Sequence, residues 1–434
     1  MDGRRLLSRR TMLAAAAAGT IPAAGVGWYL LSSGAAQNSS AADDDSGAGA
    51  LAPTKTWNPM IRVNLTPDNI DELTMSVDNR FEVVVPGHPR VLAYDVKPVR
   101  EIFVSADKNS TGIRLGNTVM PASQIEIVNT VPTVSASIWV GKSQFRGSVR
   151  LYRRPGGKLM AVNVLPLENY LASVVNSELP ASFPTAAREA QAIVARTYAL
   201  TQMKGHPLFD LYATTRSQMY LGYQYRDSDG RRLAGETPGS RKIIQDTSGV
   251  VCTYQGKIFT TYYSAVCGGR TVNGHTVYSN AVPALKSVEC DWCREAKRYR
   301  WKTEVPLAEA SQSLQQYAST KGGTFGTLAA IAPVAGPPGD LPEYTVSDGR
   351  SRRRMAGTTL QRALPLGAAH SPKFAATIAG NTVTFDGRGH GHGVGLCQWG
   401  ARGLGEAGRS ALDILNYYYS GIETVRLQAP GSAG

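Results

Sequence analysis

Short runs that alternate apolar and polar residues occupy the first ordered stretch of the chain. Ile61-Arg62-Val63-Asn64-Leu65, Phe81-Glu82-Val83-Val84-Val85, Ser137-Ile138-Trp139-Val140 and Val149-Arg150-Leu151-Tyr152 sit among turn residues. A period of two predicts strands with one face toward a core. From Pro166 the spacing lengthens. Leu171, Val174 and Val175 fall on one helical face until Pro180, and Pro184 opens a second helix carrying Ala187, Ala190, Ile193, Val194, Thr197 and Leu200. After about Lys242 the β pattern returns among Gly-rich loops, and Gly-Pro-Pro-Gly at 336–339 reads as a surface turn. Ser410 with Asp413 three residues on predicts a capping box before a short helix through Leu415 and Tyr418. The fold class is therefore α+β, with β-rich flanking segments around a central helical pair. The expectation is a single large domain whose subdomains form a cleft.

The N-terminus follows a different logic. Arg4 and Arg5, then Ser8-Arg9-Arg10-Thr11-Met12-Leu13, precede an apolar, Ala-rich run ending near Trp28-Tyr29-Leu30-Leu31. A charged start, an apolar middle and small residues at Gly34-Ala35-Ala36 describe an export signal over 1–36. The twin arginine resembles a Tat signal, which implies export in the folded state. The alternative is an uncleaved N-terminal membrane anchor, because the run approaches the ~20 residues that a bilayer requires. Either way the protein is expected outside the cytoplasm, at the cell envelope. Residues 37–54 lack the apolar content to order themselves and read as a linker, about 5 nm long at full stretch. The main domain then spans 55–425, with a β-rich part at 55–160, a catalytic part at 161–425, and a tail at 426–434.

Charge narrows the partners. The chain has 434 residues, 46 basic against 33 acidic, for a formal +13. That field favours anionic surroundings: nucleic acid, anionic lipid or anionic wall polymer. No nucleic-acid motif accompanies it, so nucleic acid is not expected. The densest basic run is Arg352-Arg353-Arg354, after a turn at Asp348-Gly349; a solvated hairpin edge is its plainer reading.

Three segments carry chemistry. The first is Pro166-Leu167-Glu168-Asn169-Tyr170-Leu171, leading through Ser177-Glu178-Leu179-Pro180 to Ala190-Gln191-Ala192-Ile193-Val194-Ala195-Arg196-Thr197-Tyr198. The second is Tyr263-Ser264 followed by Cys267-Gly268-Gly269-Arg270-Thr271. The third is Gly389-His390-Gly391-His392-Gly393-Val394-Gly395-Leu396-Cys397-Gln398-Trp399-Gly400-Ala401. In this order the three resemble the SpoIID/LytB family. That family includes lytic transglycosylases, which cut peptidoglycan glycan strands stripped of stem peptides, and members described as amidase enhancers.

Glycosidic cleavage needs a proton on the leaving oxygen, normally from a carboxylic acid. Glu178 stands at a helix end, ahead of Leu179-Pro180, where a side chain can enter a cleft. The resemblance implies that one Glu acts first as acid and then as base. The muramic C6 hydroxyl then closes on C1, leaving a 1,6-anhydro end, so the paired-carboxylate template is not needed. Glu168, in a first helical turn, reads as structural. Gln191, Arg196, Tyr198, Gln218, Tyr220, Ser264, His390, His392 and Gln398 are candidate substrate contacts, with a helix-to-sheet strut as the alternative for Arg196-Thr197-Tyr198. Glycan strands are the expected partner, and a wall amidase is the second.

Of five cysteines, Cys290 and Cys293 form a Cys-x-x-Cys knuckle, and Cys267 and Cys397 fall inside the family segments. Together they predict one structural, four-thiolate zinc site; the resemblance adds that some family members carry zinc. A Cys290–Cys293 or Cys267–Cys397 disulfide is the alternative, and His392 or His275 could replace one thiolate. Cys252 reads as an ordinary buried residue.

Overall fold

The computed structural model describes residues 57–428, apart from 67–68, 132, 134–135 and 204. The segments expected to be an export signal and a linker through Pro53-Thr54, with the last residues of the tail, lie outside these. Among the described residues no helix is long and apolar enough to cross a membrane.

Period-two patterning builds two facing sheets. Glu72–Val77 buries Leu73, Met75 and Val77, while Gln124–Asn129 buries Ile125 and Ile127, every second residue in each case. The first sheet runs in the order Leu211–Tyr212, Met60–Asn64, Lys158–Pro166, Ser148–Arg154, Gln124–Asn129, Phe81–Val84, Val91–Val96. The second centres on Ala136–Val140, Glu72–Val77 and Val99–Ala106, with Gln224–Arg226 and Arg232–Ala234 extending one edge. Leu73, Met75 and Val104 of one sheet meet Val83, Ile127 and Leu151 of the other in one core. Position 160 falls inside the strand Lys158–Pro166, and strands from beyond it complete both sheets.

That strand runs straight into helix α1 (Leu167–Glu178), which is buried around most of its circumference. Leu179 is extended, as the following Pro180 demands, and this ends the helix with Glu178 in its last turn. Helix α2 (Thr185–Gln202) follows. Its Ala187, Ala190, Ala192, Ala195 and Ala199 are all buried and let neighbouring elements approach closely. Helix α3 (Pro238–Asp246) closes the same core.

The stretch 300–388 is a separate excursion. Arg300–Pro306 pairs antiparallel with Thr382–Arg388 along its whole length, Arg300 opposite Arg388, so the excursion leaves and returns at one place. Between them lie helices α4 (Leu307–Thr320) and α5 (Gly357–Ala363) and a sheet of Ala330–Val334, Glu343–Ser347 and Arg352–Ala356. Trp301, Leu314, Tyr344, Phe374 and Phe385 give it a core of its own. The chain then returns to the main core through α6 (Gln398–Glu406) and α7 (Ala411–Tyr418). Ser410 and Asp413 form the expected capping box.

The class is α+β, with seven α-helices among the described residues. Helices are not confined to the centre, however. In α4 only Ala310, Ser311, Leu314 and Ala318 are buried, a stripe of mostly small residues that gives little hydrophobic signal. In α6 the glycines mask a helix.

One buried ion pair locks α1 to α2. Arg196 Nη2 meets Glu168 Oε2 at 2.7 Å with both side chains almost fully covered, and Arg196 Nη1 donates to Val250 O at 3.1 Å. Breaking one half of a buried pair costs ~3–5 kcal/mol, because the other charge stays buried without its partner. Arg196→Ala is therefore expected to lower unfolding stability by about that amount in urea titration, and an Arg196→Met/Glu168→Leu double substitution by much less. Equal losses from the two would show that volume, not charge, sets the cost.

Candidate active site

Glu178 lies at the C-terminal end of α1 with only 1% of its surface exposed. Three donors from distant parts of the chain converge on its carboxylate. Met219 N donates to Oε1 at 3.0 Å, Tyr263 Oη to Oε1 at 3.3 Å, and Gln398 Nε2 to Oε2 at 3.3 Å. The loop 213–222, the short strand Tyr263–Ser264 and the first turn of α6 each bring one of them. Such convergence is what a desolvated carboxylate requires.

Behind the first donors stands a second layer. Tyr170 Oη donates to Gln218 Oε1 at 3.1 Å, and Gln218 Nε2 donates to Tyr263 Oη at 3.1 Å and to Ala195 O at 3.3 Å. Burial, with the neighbouring Glu178 carboxylate adding to it, pushes the Tyr263 hydroxyl well above the ordinary tyrosine range. Burial does the same to Tyr170. Both therefore stay neutral and keep their protons. Tyr198 packs edge-on to Tyr262 and Tyr263, and burial raises its hydroxyl too.

Gln191, on α2, accepts from Gln398 Nε2 at 3.3 Å. The Gln398 amide thus bridges the carboxylate and Gln191. Its own Oε1, with Gln191 Nε2, Ser264 Oγ and Ser177 Oγ, is buried and has no hydrogen-bond partner among the described residues. The Gln398 and Gln191 atoms belong to the amide bridge beside the carboxylate, and such orphaned polar atoms are what water or a bound polar ligand would satisfy.

The remaining candidates take other positions. Arg196 points to Glu168, Thr247 and Val250, so it is a core strut and not a glycan contact. Tyr220 donates to Asn163 at 2.7 Å and packs on Tyr170 and Phe145, which places it in the core as well. Gln218 is fully buried with both ends of its amide engaged, so it supports Tyr263 from behind. His392 is buried against Tyr262 and Tyr278, and its Nδ1 accepts from Val394 N at 3.0 Å. Burial lowers it to about 4, so it is neutral at physiological pH. His390 stacks near His370 and is likewise lowered to about 4, by burial and by Arg298. Tyr263, Tyr170 and the Met219 backbone amide are site members that sequence reasoning passed over; Tyr170 and Tyr263 stand inside the quoted segments.

A depression of about 720 Å³ lies elsewhere, lined by residues such as Gly268, Arg270 and Arg388, and does not include Glu178.

The cysteines come together. The sulfurs of Cys267, Cys290, Cys293 and Cys397 all lie within 4.8 Å of one another and all four residues are buried. Cys267 and Cys293 sulfurs are 3.6 Å apart, and all five cysteines are free. Four thiolates placed tetrahedrally at ~2.3 Å from zinc stand about 3.8 Å apart, so the spacing fits one metal ion. Cys397 Sγ also accepts from Cys267 N at 3.2 Å and Gly400 N at 3.3 Å, as a thiolate ligand would. Among the described residues no histidine joins the group. Cys252 stands apart, buried in the strand Val250–Tyr254, its thiol pushed up to about 12 by burial.

Two local features hold site and cluster together. Tyr263–Ser264 pairs in parallel with Leu396–Cys397, Ser264 opposite Cys397. In α6, a Cβ on Gly400 would stand 2.7 Å from Cys290 Sγ and collide with Tyr418 Oη, so only glycine lets the helix approach the knuckle.

Known proteins share these segments. The family described as Stage II sporulation protein matches residues 155–254. An uncharacterized protein of Brachyspira hyodysenteriae is 30% identical over 62% of this chain and 68% of its own. Stage II sporulation protein D of Bacillus subtilis is 29% identical over 64% of this chain and 78% of its own. The amidase enhancer of Bacillus subtilis is 27% identical over 58% of this chain, but only 39% of its own length is covered. With its motifs gathered around Glu178 and the four cysteines, and with this shared extent, the chain belongs to the SpoIID/LytB family.

Proposed function

We propose that the protein is a lytic transglycosylase that cuts peptidoglycan glycan strands at the cell envelope, with Glu178 as its acid and base. The observation that carries this reading is the convergence of Met219, Tyr263 and Gln398 on a single desolvated carboxylate, with orphaned amide atoms on Gln398 and Gln191 beside it. The protonated carboxyl gives its proton to the glycosidic oxygen as the C1–O bond breaks. The carboxylate left behind then takes the proton of the muramic C6 hydroxyl as that oxygen bonds to C1. The proton balance closes on one residue, and water is not consumed.

Tyr263 and Met219 fix one carboxylate oxygen and leave the other, under Gln398, to exchange its amide partner for the sugar. Gln191 and Gln398 carry the unpaired amide atoms that a sugar can engage, and Tyr198 supports Tyr263 from the side. The four cysteines would hold one structural zinc ion, which supplies cross-linking and no chemistry at the carboxylate. Their part is to pin Cys397, and so the adjoining Gln398, against the loop after Ser264.

The likeness to an amidase enhancer favours a second reading, in which the same surface binds glycan and recruits a wall amidase without cleaving. The two differ in product. Glu178→Gln keeps the shape of the side chain but cannot deliver a proton, and general acid catalysis is worth ~10²–10⁴-fold. Isolated sacculi treated with the native protein should yield anhydro-muramic ends, and the Gln variant should lose at least about a hundredfold in rate with its melting temperature retained. Native protein that leaves no anhydro ends, yet stimulates an added amidase, would establish the second reading.

Purified protein should also carry about one zinc per chain. Cys267, Cys290, Cys293 and Cys397 should resist thiol reagents until a chelator is added. Metal-poor protein with the mass deficit of a disulfide would rule the zinc site out.

A further inference from the structure

The depression beside the cysteine cluster is built from the loops that carry the cysteines together with the root of the excursion at 300–388. Five of its lining side chains are basic and two acidic. The acidic ones are already engaged: Glu289 pairs with Arg270, and Asp291 with Arg294 at 2.9 Å. That leaves Arg300, Arg388 and Lys373.

Arg300 and Arg388 are directly opposite one another across two antiparallel strands. Like charges in that position destabilise a sheet. Both are exposed, and among the described residues neither forms an ion pair or a side-chain hydrogen bond. Lys373 reaches the same depression from below. Its ammonium donates to Cys267 O and Arg270 O, each at 2.6 Å, which uses two of its three protons and leaves one. Those two bonds fix its position.

We propose that this depression is a binding site for a phosphate group, separate from the Glu178 carboxylate. Two guanidinium forks and one spare ammonium proton offer more donors than a planar carboxylate can accept, whereas a phosphate presents three acceptor oxygens in a tetrahedral array. The anion would also relieve the repulsion between the two opposed arginines. A phosphate carried on an envelope polymer is the natural occupant for a protein of this charge. The site would then hold the protein against such a polymer without any part in glycan cleavage.

The test uses the intact protein and inorganic phosphate as probe, at constant ionic strength set with chloride. Phosphate should raise the melting temperature saturably. In an Arg300→Gln/Arg388→Gln variant the apparent affinity should fall at least about tenfold, since two charge-assisted contacts are lost. The same variant without phosphate should melt at or above the native temperature, because a like-charge pair is gone; this separates loss of binding from loss of fold. Arg350→Gln/Arg352→Gln removes the same charge from the excursion's far hairpin and should leave the phosphate affinity unchanged. The proposal is overturned by the absence of a saturable shift beyond chloride, or by equal loss in both variants, which would make the effect a general field. It is equally overturned if a stem-peptide fragment binds at Arg300 and Arg388 while phosphate does not.

Discussion

A carboxylate cannot be hidden from water without replacing what water supplied. At 1% exposure, Glu178 needs several donors, and no helix end can offer them from its own neighbours. Residues 178, 219, 263 and 398 must therefore be brought to one point from four parts of the chain. Much of the surrounding architecture serves that convergence. The all-but-fully buried α1 is held by the strand that feeds it and by the Glu168–Arg196 pair, so the Glu178 end has little freedom to drift.

The same constraint connects the site to the cysteines. Ser264 and Cys397 face each other in a parallel bridge only two residues long. A ladder so short has little stability of its own. Cys267 and Cys397, one just beyond each strand's pairing or within it, enter a cluster that ties both strands to the Cys290–Cys293 knuckle. Gln398 follows Cys397 directly, and Tyr263 precedes Ser264, the residue opposite Cys397, so a shift in the cluster would move two of the three groups that hold the carboxylate. The glycine at 395, with φ +70° and Tyr262 O where a Cβ would stand, serves the same close approach. Here backbone proximity is set first and side-chain chemistry follows from it.

How much of this was legible in the sequence varied with the range of the interaction. Strands and the first two helices were readable because burial follows a period of two or 3.6, and α1 stops where Pro180 forces it. The cysteine grouping followed from residue type and segment membership. The place of Arg196 is legible in helical angle: five positions from Gln191 put it on roughly the opposite side of α2, while seven positions bring Tyr198 back to the same face. Tyr263 and the Met219 amide carry no such signal. Their roles arise only when loops remote in sequence meet, and a backbone N–H has no residue identity. The excursion at 300–388 was hidden for a related reason, since its boundaries are defined by the pairing of two strands about eighty residues apart.

Charge shows the same division between sequence and space. The run Arg352-Arg353-Arg354 is conspicuous in the chain, yet Arg354 is paired with Glu343 and Arg353 donates to Thr324 O. Arg354 is thus neutralised within its own hairpin, and Arg353 is tied to the loop after α4. Arg300 and Arg388 are inconspicuous, each isolated in sequence, but the strand register sets them face to face with no acid between. An excess of +13 distributed over a surface does not itself make a site. What matters is where the fold leaves positive charges unneutralised and close together, and in this protein that happens at the root of the excursion, next to the cysteines, and not at the basic run.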